Sequence, residues 1–424
     1  MSRFRFAHIA DAHVGAWSKD EELRTRLLDS VLKALEVVER ERCDFLLIAG
    51  DMFHVASPPP EEVLPVARAL HRLQDAGIRI YAVFGSHDFT QHHTSWLDVL
   101  SASGLFIRLA PQPVLVEGVR WDLPWVRDEG TGAVIAGISG RAKGLDKNIY
   151  GSMNSEAFLA AEGFHIFVFH SGVLEYLPSS LREMMDGVPV DVLPAGCGYF
   201  AGGHIHATYS GPGPGGKGIV VNPGAVFGTS STDLEAIDSG ETQAGVVIVD
   251  VDGERATPRW VPTTEKGVTR VVDVDVTGCD DVAAVQHLVK AVGKKSVAGT
   301  LLIPRLRGTP SQQLDLARFA TEAKSLGANS VHLDVEALSP VIQRNDTTVA
   351  TTPEGIEAEL LGKGLSGLTA PQGEGSDILP VALQLLKELS VPRAEGEQKS
   401  DYTRRMVRTG LRILGWEDTE GGPT

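Results

Sequence analysis

The stretch DFLLIAGDMFH, residues 44–54, sets five apolar residues directly before a glycine, an aspartate and, three positions later, a histidine. A continuous apolar run of this length is typical of a strand buried on both faces, as in a parallel sheet. Asp51 and His54 therefore follow the end of a predicted strand. In α/β sheets that end is where ligands bind.

The same pattern recurs along the first part of the chain. Several of the apolar runs are separated by segments with helical periodicity, such as residues 21–41, in which Leu27, Val31, Leu35 and Val38 form one stripe. The alternation predicts an α/β fold with buried strands. The run GVVIVDVDGERATPRWV (245–261) contains Asp252-Gly253, a two-residue hairpin signal, so the predicted sheet is mixed. The other runs are FRFAHIA (4–10), IRIYAVFG (78–85), AVIAGIS (133–139), HIFVFH (165–170), GYFAGG (198–203) and GIVVNPG (218–224).

The pattern restarts after about residue 263. A strand, helix, strand, helix, strand order predicts a small second α/β domain at 263–342, after the main domain at 1–262. Residues 343–376, rich in Thr, Gly, Pro and acidic residues, are predicted to be a linker. Residues 377–424 contain two amphipathic helices that are too small to hold a core alone. They pack either on this protein or on a partner.

Composition narrows the class of protein. Of 424 residues, 42% are hydrophobic, and we find no apolar run long enough for a membrane span and no signal-peptide core in residues 1–11. We therefore expect a cytoplasmic protein that does not enter the membrane. Cys43, Cys197 and Cys279 lie far apart, which argues against a disulfide framework or a cysteine metal site. The net charge of −16 would repel a polyanion, so DNA binding would need basic patches, bound cations or a partner.

Polar residues follow five of the predicted strands. We expect one sheet edge to bring these side chains together. Mixed carboxylate and imidazole ligands suit a borderline divalent metal such as manganese, iron or zinc. Six of the residues exceed the needs of one tetrahedral ion, which favours two ions that share a carboxylate. Such pairs activate water and stabilise phosphoryl transfer, so the sequence predicts phosphoester hydrolysis. The six are Asp11, His13, Asp51, His170, His204 and His206.

Five motifs carry a resemblance to a known family. DAHVG (11–15), GDMFH (50–54), GSHD (85–88), FHSG (169–172) and GGHIH (202–206) resemble, in this order, the signatures of the calcineurin-like metallophosphoesterases. The domain layout resembles the SbcD-type nuclease of double-strand-break repair. The resemblance implies a metallophosphoesterase sandwich of mixed sheets flanked by helices, with a capping domain that guides DNA. It also implies a manganese-dependent DNA exonuclease and endonuclease with two Mn²⁺ ions, a homodimer, and an SMC-like ATPase partner of the SbcC type.

The resemblance also implies a role for each motif residue. Asp11, His13 and His206 would hold one metal, His170 and His204 the second, and Asp51 would bridge the two. His87 resembles the catalytic histidine that assists the leaving oxygen. His54 resembles the histidine that seats the scissile phosphodiester. Asp88 would orient His87 through a carboxylate–imidazole hydrogen bond.

Ser86 is a departure from the family pattern. The family has Gly-Asn-His-Asp, with the asparagine oxygen on the second metal, whereas this chain has Gly85-Ser86-His87-Asp88. A serine hydroxyl is a neutral oxygen on a shorter arm. It ligates directly, ligates through a water, or is only a turn residue. We predict a functional but weaker second metal site that depends more on added manganese.

Two alternatives remain open from the sequence. A phosphodiesterase or phosphatase for small substrates on the same core is favoured by the acidic net charge. A non-catalytic scaffold that binds DNA ends or the ATPase is the other. Basic candidates for a DNA path are Arg141, Lys143 and Lys147 in the main domain, and Lys290, Lys294, Lys295, Arg305 and Arg307 in the second.

Overall fold

A computed structural model describes most of the chain. The described residues are 3–89, 94–109, 120–140, 146–179, 181–182, 185, 187–264, 267–293, 296–340, 361, 378–394, 397 and 399–414. Two compact units are present, Met1–Val341 and Ile342–Thr424. Most of the predicted linker, together with Arg141, Lys143, Lys294 and Lys295, lies outside the described residues.

Strands and helices alternate along most of the first unit, as predicted. The strands are β1 Arg3–Ile9, β2 Phe45–Ala49, β3 Arg79–Val83, β4 Ile107–Arg108, β5 Trp121–Asp122, β6 Trp125–Arg127, β7 Val134–Ile138, β8 Met153–Asn154, β9 His165–Phe169, β10 Gly172–Val173, β11 Gly187–Val188, β12 Tyr199–Ala201, β13 Tyr209–Pro212, β14 Ile219–Asn222, β15 Gly245–Asp252, β16 Arg255–Pro262, β17 Thr269–Asp275, β18 Leu301–Arg307 and β19 Ser330–Val331. The helices are α1 Glu21–Arg40, α2 Pro60–Asp75, α3 Trp96–Ala102, α4 Asp146–Ser152, α5 Glu156–Ala160, α6 Ser231–Ser239, α7 Asp281–Val292, α8 Leu316–Ser325, α9 Ile378–Leu389 and α10 Lys399–Ile413.

Two six-stranded mixed sheets form the larger part of this unit. Their strand orders are β16-β15-β1-β2-β3-β4 and β13-β14-β12-β9-β7-β6. Strands β1 to β4 are parallel, whereas β15 is antiparallel to both β1 and β16. The predicted hairpin is confirmed, since Asp252 pairs with Arg255 across its turn.

The central strands of the two sheets are buried on both faces, because each sheet lies between the other sheet and a layer of helices. In β2, Leu47 belongs to the core between the sheets, while its neighbour Leu46 belongs to the core under the helices. Phe6 stacks on Phe45 with ring centroids 5.0 Å apart. Burying one such side chain stabilises the fold by about 1.5–3 kcal/mol. The result is a mixed α/β sandwich, as predicted.

A hydrogen-bonded histidine joins the two sheets inside this core. His8, on β1, is fully buried, and its Nδ1 lies 3.0 Å from the hydroxyl of Tyr199 on β12. Its Nε2 donates to the carbonyl of Gly202 at 3.0 Å. Both ring nitrogens are therefore satisfied, and His8 has a structural role.

A small parallel sheet, β17-β18-β19, follows the sandwich, with helices α7 and α8. Leu302 and Leu306 of β18 pack with Leu288 of α7 and Phe319 of α8 in a core of their own. Leu301 and Ile303, on the opposite face of β18, pack with the core under the sandwich helices. We call β17 to β19, α7, α8 and residues 332–338 the small layer.

The second unit contributes helices α9 and α10 to the described residues. The hydroxyl of Tyr402 donates to the carbonyl of Val391 at 3.2 Å, and Arg405 forms an ion pair with Glu397 at 2.9 Å. In the part of the chain that the structure describes, no helix combines the length and the apolar character that crossing a bilayer would need.

Candidate metal centre

The loops that follow β1 and β2 are joined by backbone hydrogen bonds. The amide of Asp11 donates to the carbonyl of Gly50 at 3.1 Å, and the amide of His13 donates to the carbonyl of Asp51 at 2.9 Å. Adjacent parallel strands end side by side, so these loops present their polar side chains together. The structure thereby brings Asp11, His13 and Asp51 to one place.

The expectation of a single sheet edge is wrong. Asp11, His13, Asp51 and Ser86 follow strands of the first sheet, whereas His170 follows β9, and His204 and His206 follow β12, of the second sheet. The amide of His204 donates to the carboxylate of Asp11 at 2.9 Å, which joins the two edges. The side chains still converge, because the two sheets pack face to face with these strand ends at the same side of the sandwich.

Strained backbone conformations are concentrated at this place. Asp11, His13, Asp51 and His204 have φ angles of 51°, 43°, 50° and 84°, in the left-handed region. Only two other non-glycine residues in the described ranges have a positive φ. Each such conformation costs on the order of 1–3 kcal/mol and persists where the surrounding structure enforces it. These backbone conformations accompany the convergence of the four side chains.

Two glycines leave the space that the cluster needs. A Cβ atom at Gly85 would lie 2.1 Å from Oδ1 of Asp51, and one at Gly50 would lie 2.3 Å from Nδ1 of His170. Gly50 also has a φ of 90°, which disfavours any side chain there.

The first group of candidate ligands is Asp11, His13 and His206. One ligand atom from each residue lies within 4.8 Å of the other two. The Nε2 atoms of His13 and His206 are 3.2 Å apart, and Nε2 of His13 is 3.9 Å from Oδ1 of Asp11. Nδ1 of His13 is buried without a hydrogen-bond partner among the described residues. Two imidazole nitrogens and a carboxylate that converge in this way are a suitable donor set for a divalent ion.

The second group is Asp51, His170 and His204, whose ligand atoms also lie within 4.8 Å of one another. Nδ1 of His170 donates to the carbonyl of Ala49 at 2.7 Å, which directs Nε2 into the group. This Nε2 lies 3.1 Å from Oδ2 of Asp51 without the geometry of a hydrogen bond. A buried imidazole nitrogen that is fixed from behind by a carbonyl is the arrangement found at metal ligands.

Asp51 lies between the two groups. Its Oδ2 is 3.1 Å from Nε2 of His170 in the second group and 3.7 Å from Nε2 of His13 in the first. Its Oδ1 accepts a hydrogen bond from the amide of His87 at 2.8 Å. This position is the one that a bridging carboxylate would need.

The electrostatics keep two of the candidate ligands neutral and favour a proton on others. Burial lowers the pKa of His13 to about 3 and that of His204 to about 4, which keeps both imidazoles neutral. Burial raises the pKa of Asp11 to about 6. For His206, burial opposes charge, but the hydrogen bond and charge of Asp233 with the charges of Asp11 and Asp51 raise the pKa. Burial also opposes charge on Asp51 and His170, but their mutual attraction lowers the pKa of Asp51 and raises that of His170 to about 10. A proton is thus favoured where Nε2 of His170 meets Asp51. A cation would take the same position, so the residues fit a metal ion.

Ser86 lies beside Oδ2 of Asp51, the oxygen between the two groups. Its hydroxyl donates to Oδ2 of Asp51 at 3.3 Å. The side chain is partly exposed, whereas Asp51 is buried. The role of Ser86 as a metal ligand stays a prediction, and its hydroxyl contacts Asp51 of the second group.

His54 and His87 stand next to the first group. Their rings stack with centroids 5.2 Å apart, and the ring of His87 meets that of His13 edge-on at 4.8 Å. Nδ1 of His87 donates to the carbonyl of His54 at 2.7 Å. His87 is exposed, so its Nε2 can reach a bound substrate.

The prediction that the carboxylate of Asp88 accepts a hydrogen bond from the imidazole of His87 is wrong. Oδ2 of Asp88 instead accepts from the amides of Asp51 and Gly85, both at 2.8 Å. The side chain of Asp88 is buried. Its carboxylate is therefore directed to the backbone of the loop that carries Asp51. Burial and the nearby charge of Asp51 raise the pKa of Asp88. Its role is therefore to hold the loop, and the carbonyl of His54 orients His87.

Asp233, in the first turn of α6, was not found by sequence reasoning. Its Oδ2 lies 2.9 Å from Nδ1 of His206 and accepts from the amide and hydroxyl of Thr229, both at 3.0 Å. Burial opposes ionisation of Asp233, but the hydrogen bond and charge of His206 together with the hydrogen bonds from Thr229 outweigh it and lower the pKa to about 2. Ser230 and Asp233 have the spacing of a helix N-cap, a signal that locates the start of α6 but not its contact with His206.

Comparisons with known proteins show which proteins this chain is similar to. Residues 4–207 match the calcineurin-like phosphoesterase family. The DNA double-strand break repair protein Mre11 of Sulfurisphaera tokodaii is 25% identical over 287 residues, which cover 65% of this chain and 64% of that protein. The same-named protein of Archaeoglobus fulgidus is 27% identical over 209 residues, 48% of this chain and 46% of that protein. That of Haloferax volcanii is 34% identical over 116 residues, 27% of this chain and 26% of that protein.

The chain therefore spans less than two thirds of the length of each of these relatives.

Proposed function

We propose, from the match of residues 4–207 to the calcineurin-like phosphoesterase family, that the chain is a manganese-dependent DNA exonuclease and endonuclease of double-strand-break repair. One observation carries the proposal. Two Asp/His groups lie on either side of Asp51, with the exposed His87 beside them. The names of the relatives support DNA as the substrate.

In the proposed centre, the metal ions and the side chains of the protein have different roles. Two bound ions, with ligands from Asp11, His13 and His206 and from Asp51, His170 and His204, would supply Lewis acidity and an activated water. His87, held through Nδ1 by the carbonyl of His54, places Nε2 to give a proton to the leaving oxygen. His54 stacks on His87 and holds its ring in place.

Partners follow from the same proposal. We propose an SMC-like ATPase as the partner of helices α9 and α10. Leu386, Leu389 and Val407 are 44%, 42% and 56% exposed on these helices, which leaves apolar surface for another protein. We also propose a homodimer in the cytoplasm; light scattering of the purified protein tests the dimer.

A second candidate, a phosphodiesterase for small substrates, is favoured by charge. Arg305 and Arg307, which the sequence offered for a DNA path, form ion pairs instead. Both contact Asp273 at 2.8 Å, and Arg305 also contacts Glu235. With a net charge of −16, fewer cations remain to attract a polyanion.

One assay separates the two candidates. The full chain is incubated with Mn²⁺ and either linear double-stranded DNA, single-stranded DNA or a bis-aryl phosphodiester. We expect DNA cleavage that His87→Ala lowers by about 10²–10⁴-fold. His71→Ala, an exposed histidine on α2, is the control and should match wild type. Hydrolysis of the small diester alone would favour the second candidate, and no hydrolysis of any substrate would contradict both.

A further inference from the structure

His206 is the candidate ligand whose outer ring nitrogen meets a carboxylate. Asp233 and Thr229 surround its Nδ1, at 2.9 Å and 3.3 Å. A carboxylate on one nitrogen fixes the tautomer and the ring orientation, and so fixes where the other nitrogen points. For His206 the other nitrogen is the one that lies 3.2 Å from Nε2 of His13.

The position of Asp233 follows the first turn of helix α6. Its amide donates to the side chain of Ser230, the N-cap of the helix, at 3.1 Å. The carboxylate of Asp233 therefore moves with this turn. Contacts that fix this turn therefore also help to fix the ring of His206 through Asp233.

Residues of the small layer contact this first turn of α6. Arg305 of β18 contacts Glu235 at 2.7 Å and the hydroxyl of Thr232 at 3.5 Å. The guanidinium is itself fixed by Asp273 at 2.8 Å, and only 12% of the Arg305 side chain is exposed. The hydroxyl of Ser231 donates to Asp334, a second contact from the same layer.

The small layer also touches the loop that follows His13. Nδ1 of His332 lies 2.6 Å from Oδ2 of Asp20, and the ring of His332 meets that of Trp17 edge-on at 5.1 Å. The amide of Asp20 donates to the carbonyl of Trp17 at 2.8 Å. The small layer thus contacts the loop that follows His13 and the helix whose Asp233 meets His206.

We propose that the small layer is a positioning element for the first metal group, and that Arg305, Glu235 and Asp233 act through helix α6 to orient His206. The inference rests on the proposed metal centre and adds a determinant of its affinity. Movement of the small layer would loosen the first group, because Arg305 and Asp334 of this layer contact the turn of α6 that carries Asp233. The second group has its own support, the carbonyl of Ala49 behind His170.

The chain offers a matched pair of variants for the test. Arg305 and Arg307 lie on the same strand and both contact Asp273, but only Arg305 has a contact with Glu235. Mn²⁺ binding to the full chain is measured by calorimetry and by the paramagnetic resonance signal of free Mn²⁺. We expect Arg305→Gln and Glu235→Gln to weaken one of two sites by about 3- to 10-fold. Arg307→Gln should stay within about twofold of wild type.

Asp233→Asn tests the last step of the path. We expect it to weaken the same site by about 10- to 100-fold, the usual effect of losing a carboxylate behind a ligating histidine. Melting curves in EDTA show whether each variant is folded, and the exposed Glu235 makes Glu235→Gln the safest change. Equal Mn²⁺ affinities for Arg305→Gln, Glu235→Gln and Arg307→Gln would overturn the inference alone. A wild type that binds no Mn²⁺ would overturn the proposed function with it.

Discussion

The Nε2 atoms of His13 and His206 face each other at 3.2 Å, although the two residues are 193 positions apart in the chain. Nδ1 of His206 is engaged by Asp233, so in the neutral ring the proton lies on Nδ1 and Nε2 carries the lone pair. Two ring nitrogens directed at one point, beside Asp11, are best satisfied by a shared cation. In the second group a ring nitrogen meets a carboxylate instead, with Nε2 of His170 at 3.1 Å from Oδ2 of Asp51.

Manganese should stabilise the folded protein. A ligand that binds only the native state adds about 2.7 kcal/mol per site at a hundred times its dissociation constant. We expect His206→Ala to lose about half of the Mn²⁺-induced rise in melting temperature, because one group loses a ligand. Scanning fluorimetry with and without Mn²⁺ measures this, with His71→Ala as control. An equal rise in all three proteins would rule out His206 as a ligand.

Ser86→Asn should strengthen the second metal site. The asparagine carbonyl reaches further than the serine hydroxyl, which donates to Oδ2 of Asp51 at 3.3 Å. We expect half-maximal activity at about 3- to 10-fold lower Mn²⁺, a gain of about 1 kcal/mol for one added neutral oxygen ligand. Activity is titrated against Mn²⁺ for both proteins. Coincident curves would show that Ser86 is only a turn residue.

His8 should make stability fall with acid. Burial lowers its pKa in the folded state to about 3, below the ordinary 6.5, so only the unfolded chain takes up a proton in between. The contribution of His8 is therefore complete above pH 6.5 and is lost as pH falls toward 3. We expect the free energy of unfolding of wild type to drop by about 1.4 kcal/mol per pH unit more than that of His8→Gln. Urea unfolding in metal-free buffer measures both, and parallel pH curves would contradict this account.

Asp128 should be among the costliest polar residues to replace. Its fully buried carboxylate accepts from Arg79, from the hydroxyl of Tyr81 at 2.8 Å and from the amide of Thr131 at 2.9 Å. We expect Asp128→Asn to lower the free energy of unfolding by about 3 kcal/mol, because Arg79 loses its partner. The exposed pair Arg3 and Asp252 is the control, where Asp252→Asn should leave the free energy of unfolding close to that of wild type. Similar losses in the two variants, measured by urea unfolding, would refute the prediction.

The sequence predicts the centre well where a residue follows a long buried strand. Asp11, Asp51 and His170 do so, and the parallel pairing of β1 with β2 and of β7 with β9 brings such ends to one side of each sheet. The family resemblance supplied the division into two metal sites, which stays a prediction.

Other contacts leave no periodic trace in the sequence. Asp233 and Arg305 meet through a short helix and a separate layer, and both depend on how distant elements pack. The direction of Asp88 depends on the turn at Gly85, where a change of one dihedral angle redirects the carboxylate. Strands of two residues, such as β5 and β10, are too short to show alternation.

Anomalous diffraction from crystals soaked in Mn²⁺ tests the central claim most directly. We expect two peaks about 3.5–4 Å apart on either side of Asp51, one beside His13 and His206 and the other beside His170 and His204. The absence of any peak at Asp51 from a crystal in saturating Mn²⁺ would contradict the account.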